Sequence, residues 1–485
     1  MMPGFHVENF GCRAARADGE AIGERLREDF EVSSDPRAAA VVIVNTCSVT
    51  AEADRAARAF IRRTHRGNPE ARIVVTGCYA QRAPEELATL PGVAAVVGNS
   101  HKGLMPEIAA RLAGGEIGPQ PDCGGAMVPV QALMTGGSVA APVPIWADDR
   151  FAHSFLEEAQ VAPGAQTRPN LKIQEGCGNR CTFCVIPFTR GPSRSLGRDA
   201  VLRQVRGFVK AGGKELVLSG INLGRWGRDF KGEGRTAADP ALSHSLTRLR
   251  KDGAPGHKTL AGLVREIFAE TELPRLRLSS IEPMDWDGEM IALMAEFGGS
   301  RLCRHAHLPL QSGSDAVLRR MHRRYRPWHY AEKATALVNA AGPELTLGAD
   351  VMVGFPGETD REFEETMAMV RALPFGYLHI FPFSPRPGTA LHAAEPPNAA
   401  IVKERLAALR ALAAEKTRAH RERLVGRQLE AITLHTPAEM ARRGRTLALT
   451  ENFVPAELQG ATPANTLVRV RAAALGGGEH LLAVA

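Results

Sequence analysis

Long hydrophobic runs are missing from this 485-residue sequence; its apolar stretches are strand-sized and broken by charge. None approaches the ~20 residues that a membrane-crossing helix needs, so no membrane partner is expected. The opening run MMPGFHVENFGC lacks a basic segment followed by a long apolar one. No secretory signal is read there, and a cytoplasmic location is expected. Strong charge of either sign is also lacking. Sixty Lys and Arg against 53 Asp and Glu leave a net +7, which permits a nucleic-acid partner without requiring one. Cysteine is sparse: Cys12, Cys47, Cys78, Cys123, Cys177, Cys181, Cys184 and Cys303. In a reducing compartment disulfides are not expected, and clustered cysteines point to metal.

What is present is globular. Apolar residues make up 44% and charged residues 23%, and the length asks for two or three domains. In residues 1–117, apolar β-branched runs (FHVENFGC, AVVIVNTC, ARIVVTGC, AAVVGN) alternate with helical stretches such as 50–66, which Thr50 can cap. This alternation predicts a parallel α/β sheet. Cys12, Cys47 and Cys78 each fall just past a strand, on the sheet edge where ligands bind.

Residues 118–166 turn to Gly, Pro, Ala and Ser and read as a linker or insertion that contains Cys123. From 167 to 400 six strand candidates alternate with helices: LKIQEGC, KELVLSGIN, RLRLSSIEP, RHAHLPLQSG, LGADVMVGFPGE and YLHIFPFSPRPG. They predict a partial (β/α)6 barrel with its site at the carboxyl ends of the strands. A Gly-rich charged insertion is read at 227–257. A basic helical connector follows at 401–426, and short strands over 427–485 predict a small β-barrel.

The run KIQEGCGNRCTFCVIPFTRG holds Cys177, Cys181 and Cys184 at C-x3-C-x2-C, with no fourth thiol nearby. A structural zinc site closes with four ligands. An electron-carrying 4Fe–4S cluster takes four thiolates. Three thiolates leave one iron open, as a reactive metal site does. The spacing, with Phe183 before the last cysteine, resembles the radical S-adenosylmethionine enzymes. A zinc knuckle or a ferredoxin loop would not explain the barrel-like series that follows.

Singly, Cys12, Cys47 and Cys78 read as small buried hydrophobes. Together they form a second three-thiolate set. The order GC, NTC, TGC and then C-x3-C-x2-C resembles the methylthiotransferases along nearly the whole chain. The runs RGPSRS, LSGINLGRWG, HLPLQSGSDAVLRRMHRRY, DVMVGFPGET and FPFSPRPGT are most similar to the tRNA N6-threonylcarbamoyladenosine-C2 methylthiotransferases. The resemblance implies a methylthiotransferase domain over 1–117, a radical core over 167–400 and an RNA-binding TRAM-like barrel at the end.

It also implies two 4Fe–4S clusters, one held by Cys12, Cys47 and Cys78 and the other by Cys177, Cys181 and Cys184. Two S-adenosylmethionine molecules would serve them, one giving a methyl group and one a deoxyadenosyl radical. No acid–base residue is assigned, because an adenine C2–H bond is neither acidic nor electrophilic. The substrate would be modified adenosine in a tRNA anticodon stem-loop, and electrons would come from a reductant such as flavodoxin or ferredoxin. Alternatives are N6-isopentenyladenosine in tRNA, an aspartate of a ribosomal protein, or a non-catalytic iron–sulfur or RNA-binding protein.

Gly213 and Glu215, in AGGKEL, fall where the family contacts the methionine amine of the cofactor. Glu215 is therefore a candidate partner for that ammonium, against a plain surface glutamate. Glu282 is a candidate for ribose hydroxyls. Gln311, with Ser312, is a candidate pocket-lining residue, and Gly354, Pro356 and Gly357 form either a cofactor-facing or an ordinary turn. His305 and His307 alternate on a strand and point the same way. Arg323 and Arg324, with the basic helix, could meet RNA phosphates. Phe453 either stacks on a base or fills the barrel. Ala15 stands where the family commonly has Asn. Cys303 reads as a packed thiol.

Overall fold

The structure, a computed structural model, describes residues 2–48, 50–114, 143–151, 167–230, 259–395, 397–476 and 480–484. Most of the 118–166 linker, Cys123 and nearly all of the 227–257 insertion lie outside them.

The first sheet is parallel. Its order is Glu31–Val32, Gly4–Asn9, Val41–Thr46, Arg72–Gly77, Val93–Gly98 and Ile145–Trp146. Strand Val41–Thr46 is buried throughout, as continuous β-branched runs require in a sheet covered on both faces. Alternate residues serve opposite faces. Val41 and Ile43 pack with Ile22, Leu26 and Met105 on one side. Val42 and Val44 pack with Phe60, Ile61 and Tyr79 on the other. Thr50 caps helix Ala51–Gly67 by accepting from the Ala53 amide at 3.2 Å. Ile145–Trp146 falls within residues read as linker, yet it adds the sixth strand and buries Trp146.

The second unit is an open half-barrel. Strands Asn170–Glu175, Glu215–Gly220, Arg275–Leu278, His305–His307, Thr346–Val353 and Phe375–Pro382 follow one another in parallel. A short antiparallel strand, Arg194–Ser195, edges the first. Two hydrogen-bonded pieces of four and three strands meet where the Cys303 amide donates to the Leu276 carbonyl at 2.9 Å. One continuous core under the surrounding helices joins Leu171, Leu216, Leu276, Ala306, Leu347 and Phe375.

Helix Ala399–Leu424 crosses the last strand and leads to a closed five-stranded barrel. Its order is Gln428–Thr433, Arg445–Thr450, Pro455–Gln459, Leu481–Val484 and Leu467–Leu475. The α/β class, the partial barrel and the small β-barrel expected from the sequence are thus all present. Among the described residues, no helix is long and apolar enough to cross a membrane.

Candidate active site

Three adjacent strands of the first sheet end together, with Asn9 paired to Asn45 and Asn45 to Thr76. Each is followed within three residues by one of Cys12, Cys47 and Cys78. The glycines before two of them are obligatory. Gly11 has φ +109°, and a Cβ there would lie 2.6 Å from the Cys47 sulfur. Gly77 has φ +98°, and its Cβ would lie 2.2 Å from the Thr46 carbonyl oxygen. Only glycine allows turns this tight to bring the cysteine backbones together. Cys12 is exposed, whereas Cys47 and Cys78 are buried.

Cys177, Cys181 and Cys184 occupy the loop after the first half-barrel strand, half-buried. Burial pushes the free Cys184 thiol up to about 12 and also raises Cys177, so metal binding there must expel protons. Protein donors already point at the sulfurs. The Asn179 amide donates to the Cys177 sulfur at 3.4 Å and Asn222 Nδ2 to the same sulfur at 3.7 Å. Arg323 Nη1 donates to the Cys181 sulfur at 3.4 Å and is clamped through Nη2 on both Glu282 oxygens at 2.7 Å.

Each trio offers three thiols, a donor set that fits a 4Fe–4S cluster with one iron left open. A single zinc with ~2.3 Å Zn–S bonds draws its sulfurs to within about 4 Å of one another. Among the described residues, only His307, Asp350 and His379 gather ligand atoms within 4.8 Å; neither cysteine trio does. Beside Cys78, the buried atoms Arg190 Nη2 and Asn99 Oδ1 have no hydrogen-bond partner among the described residues.

Arg190 links the two sites. It closes helix Ile186–Arg190, which starts two residues after Cys184. Its Nε donates to the Cys78 sulfur at 3.2 Å, and Nη1 donates to Glu175 at 2.7 Å and Asp18 at 3.1 Å. Asn99 Nδ2 also donates to Cys78, at 3.5 Å, and to the Thr189 carbonyl at 2.7 Å. Lys102 and Lys172 complete the buried cluster around Asp18. Burial alone would raise the Asp18 carboxyl, but Lys102, Lys172 and Arg190 outweigh it and hold it well below the usual range.

The other sequence candidates divide. Glu282 and Gln311 follow barrel strands at the cysteine end; Gln311 is buried with φ +61°, a strained left-handed backbone. Ser312, also buried, lies 3.1 Å from Thr366 through its hydroxyl. Gly354 and Gly357 have positive φ, as a tight turn demands, but the Gly354 Cβ position faces Val402.

Gly213 and Glu215 are not brought to the cysteines. Glu215 opens its strand, whereas Asn222, past the other end of the same strand, touches Cys177. Glu215 is fully buried and bonds Arg275 at 2.6 Å and Arg277 at 2.8 Å. Those arginines donate onward to the Leu449 and Thr450 carbonyls of the terminal barrel. Gly213 lacks a side chain because a Cβ would lie 2.2 Å from the Phe208 ring. The expected pairing of Glu215 with a cofactor ammonium therefore gives way to a structural salt bridge.

Arg323 is likewise buried on Glu282 rather than offered to phosphate, while Arg324 is exposed. Phe453, with φ +65°, wedges against His305 at 4.5 Å and Tyr377 at 5.6 Å, between the two barrels. Cys303 is a packed thiol, pushed up to about 12 by burial. Asn222 and Arg190 were missed as site residues, although both lie in runs that carry the resemblance, LSGIN and the start of RGPSRS.

A parallel half-barrel with three cysteines in the loop after its first strand defines a radical S-adenosylmethionine enzyme. The family model described as "Radical SAM superfamily" matches residues 171–370, and "Uncharacterized protein family UPF0004" matches residues 4–98. The threonylcarbamoyladenosine tRNA methylthiotransferase MtaB of Bacillus subtilis is 32% identical over 464 residues, covering 94% of this chain and 90% of that protein. The protein of that name from Aquifex aeolicus is 32% identical, covering 96% and 98%. The tRNA-2-methylthio-N(6)-dimethylallyladenosine synthase of Erythrobacter litoralis is 34% identical, covering 89% and 86%. The chain belongs to the radical S-adenosylmethionine tRNA methylthiotransferases, which are transferases. The cofactors this family implies are S-adenosylmethionine and a 4Fe–4S cluster. Among solved structures, the radical S-adenosylmethionine methyltransferase TsrM of Kitasatospora setae shares the fold, with a TM-score of 0.51 at 16% identity over 80% of this chain and 74% of that one.

Proposed function

We propose that the chain attaches a methylthio group to C2 of N6-threonylcarbamoyladenosine beside the anticodon of tRNA, using two 4Fe–4S clusters and two S-adenosylmethionine molecules. Cys12, Cys47 and Cys78 would hold one cluster, and Cys177, Cys181 and Cys184 the other. The observation that carries this reading is Arg190: a five-residue helix, about 8 Å of rise, separates the last radical-site cysteine from a side chain bonded to Cys78. Two sites this close can act on one bound base.

When bound, the cofactors supply a transferable methyl group and, on one-electron reduction, a deoxyadenosyl radical. The chain's own residues position and insulate. Arg323 and Asn222 hold the radical-site sulfurs, Glu282 holds Arg323, and Arg190 and Asn99 hold Cys78. Glu282 and Gln311 are candidate contacts to S-adenosylmethionine, for ribose hydroxyls and pocket lining respectively. Residues 1–117 would serve as the methylthiotransferase domain, 167–400 as the radical core, and 427–485, reached through 401–426, as the RNA-binding barrel. A flavodoxin or ferredoxin would supply electrons, in the cytoplasm where tRNA is matured.

The threonylcarbamoyl substrate is supported by the quoted subfamily motifs and by two relatives of that name aligned over 94% and 96% of the chain. The 34% identical relative named for dimethylallyladenosine favours the alternative, N6-isopentenyladenosine. Mass spectrometry of tRNA nucleosides from a deletion strain separates them. Loss of 2-methylthio-threonylcarbamoyladenosine is expected; its unchanged level would overturn the reading.

A further inference from the structure

Three neighbouring half-barrel strands turn polar side chains inward. His305 and His307 come from one, Asp350 from the next, and Tyr377 and His379 from the last. The intervening residues Ala306, Leu347, Ala349 and Val351 face the apolar core under the helices. His307 pairs with Gly348, and Asp350 with His379.

Gly348 makes room for Tyr377: a Cβ there would lie 2.2 Å from its ring. The Tyr377 hydroxyl thereby reaches His305 Nε2 at 2.8 Å and His307 Nδ1 at 3.1 Å. His307 is thus held with Nε2 at 3.2 Å from Asp350 Oδ2, and His379 Nδ1 lies 3.2 Å from Asp350 Oδ1. Side-chain exposure climbs from 10% at His307 to 27% at Asp350 and 60% at His379. The cluster is anchored inside and opens along the last strand.

Above it, toward the cysteine end, Ser219, Ser279 and Gln311 are buried. Their side-chain oxygens Oγ, Oγ and Oε1 have no hydrogen-bond partner among the described residues. A barrel lined this way asks for a ligand rich in hydrogen-bonding groups.

We propose that His307, Asp350 and His379 receive the N6 substituent of the substrate adenosine and select a polar, carboxylate-bearing group over an apolar prenyl group. The inference rests on the tRNA adenosine reading above. On the adenine ring, C2 and C6 are separated only by N1. A base with C2 at the strand ends therefore projects its N6 substituent only a few ångströms away, within the same barrel. A threonylcarbamoyl group carries a carboxylate, a hydroxyl and a ureido N–H. His307 steadies Asp350; His379 Nε2, the ring nitrogen not turned to Asp350, suits the carboxylate, and the Asp350 carboxylate accepts from the hydroxyl or the ureido N–H. A prenyl group would cover these side chains and satisfy none of them.

The test uses reconstituted full-length enzyme and anticodon stem-loop RNAs carrying either N6-threonylcarbamoyladenosine or N6-isopentenyladenosine. Wild type should favour the first. The exposed-site variant His379→Phe and the half-buried variant Asp350→Asn should each lose on the order of 10- to 100-fold in kcat/KM on it, mainly through KM, with iron content unchanged. Preference retained in both variants would overturn the subsite and leave the substrate reading intact. Wild type acting only on the isopentenyl RNA would overturn both. Stoichiometric zinc in wild type that is lost in Asp350→Asn would overturn the subsite by making the cluster a metal centre.

Discussion

Arg190 shows how much depends on one side chain. It is buried, bonds the Cys78 sulfur, and its Nη2 has no hydrogen-bond partner among the described residues. A donor to a cluster sulfur stabilises the more reduced, more negative state and so raises the reduction potential. Arg190→Lys should retain the charge, lose the planar fork, and lower the potential of the cluster proposed at Cys12, Cys47 and Cys78. A shift of roughly 60 mV corresponds to each tenfold loss of stabilisation for one electron. Redox titration followed by electron paramagnetic resonance checks this; an unchanged potential would mean that Arg190 only holds the domains together.

Glu215 makes the opposite case. Read as a cofactor contact, its loss would cost catalysis. Read from its two buried ion pairs, its loss should cost stability. Glu215→Gln removes the buried carboxylate shared by Arg275 and Arg277 and should destabilise the chain by about 3–5 kcal/mol. Thermal denaturation measures it, and KM for S-adenosylmethionine should be unaffected.

At the scale of elements, helix Ala399–Leu424 carries a pH-sensitive contact. His420 is buried and 2.8 Å from the Thr346 hydroxyl; burial, with Arg423 and Arg421, lowers its pKa to about 4. A histidine depressed on folding stabilises fully above its unfolded value of ~6.5, and that stability is lost as pH falls toward the folded value. Stability should therefore decline between about pH 6.5 and 4, by roughly 3 kcal/mol at most, and His420→Gln should flatten the decline. Denaturation midpoints across that range test it.

Elements were also the most legible scale in the sequence. The runs ending at Cys47 and Cys78 are so continuously apolar that only a doubly covered parallel strand suits them, and the glycines before Cys12 and Cys78 mark the turns. Glu215 was misread because sequence spacing gives a strand's residues but not which end of the barrel a side chain occupies. The partners of Arg190 and Arg323 lie up to 172 residues away, as for Asp18, and a buried arginine looks like a surface one until the fold closes. His305 and His307 were legible as a same-face pair. Asp350 and His379 joined them only through strand register.

Two three-cysteine sets, Cys12, Cys47 and Cys78 and then Cys177, Cys181 and Cys184, follow strands of two different sheets. Charges cross between the two units: Asp18 pairs with Lys172 and Arg190, and Asp54 with Arg386, while Lys102 and Arg82 hold the same two carboxylates from within the first unit. Arg386, from SPRPGT, lies 2.6 Å from Asp54 of the first domain, which gives that motif a structural role at the domain junction.

Iron and acid-labile sulfide counted in anaerobically reconstituted protein test the two-cluster arrangement most directly. About eight irons per chain are expected in wild type, and about four in the variant carrying Cys12→Ala, Cys47→Ala and Cys78→Ala. Four irons in wild type, or eight retained in the triple variant, would contradict it.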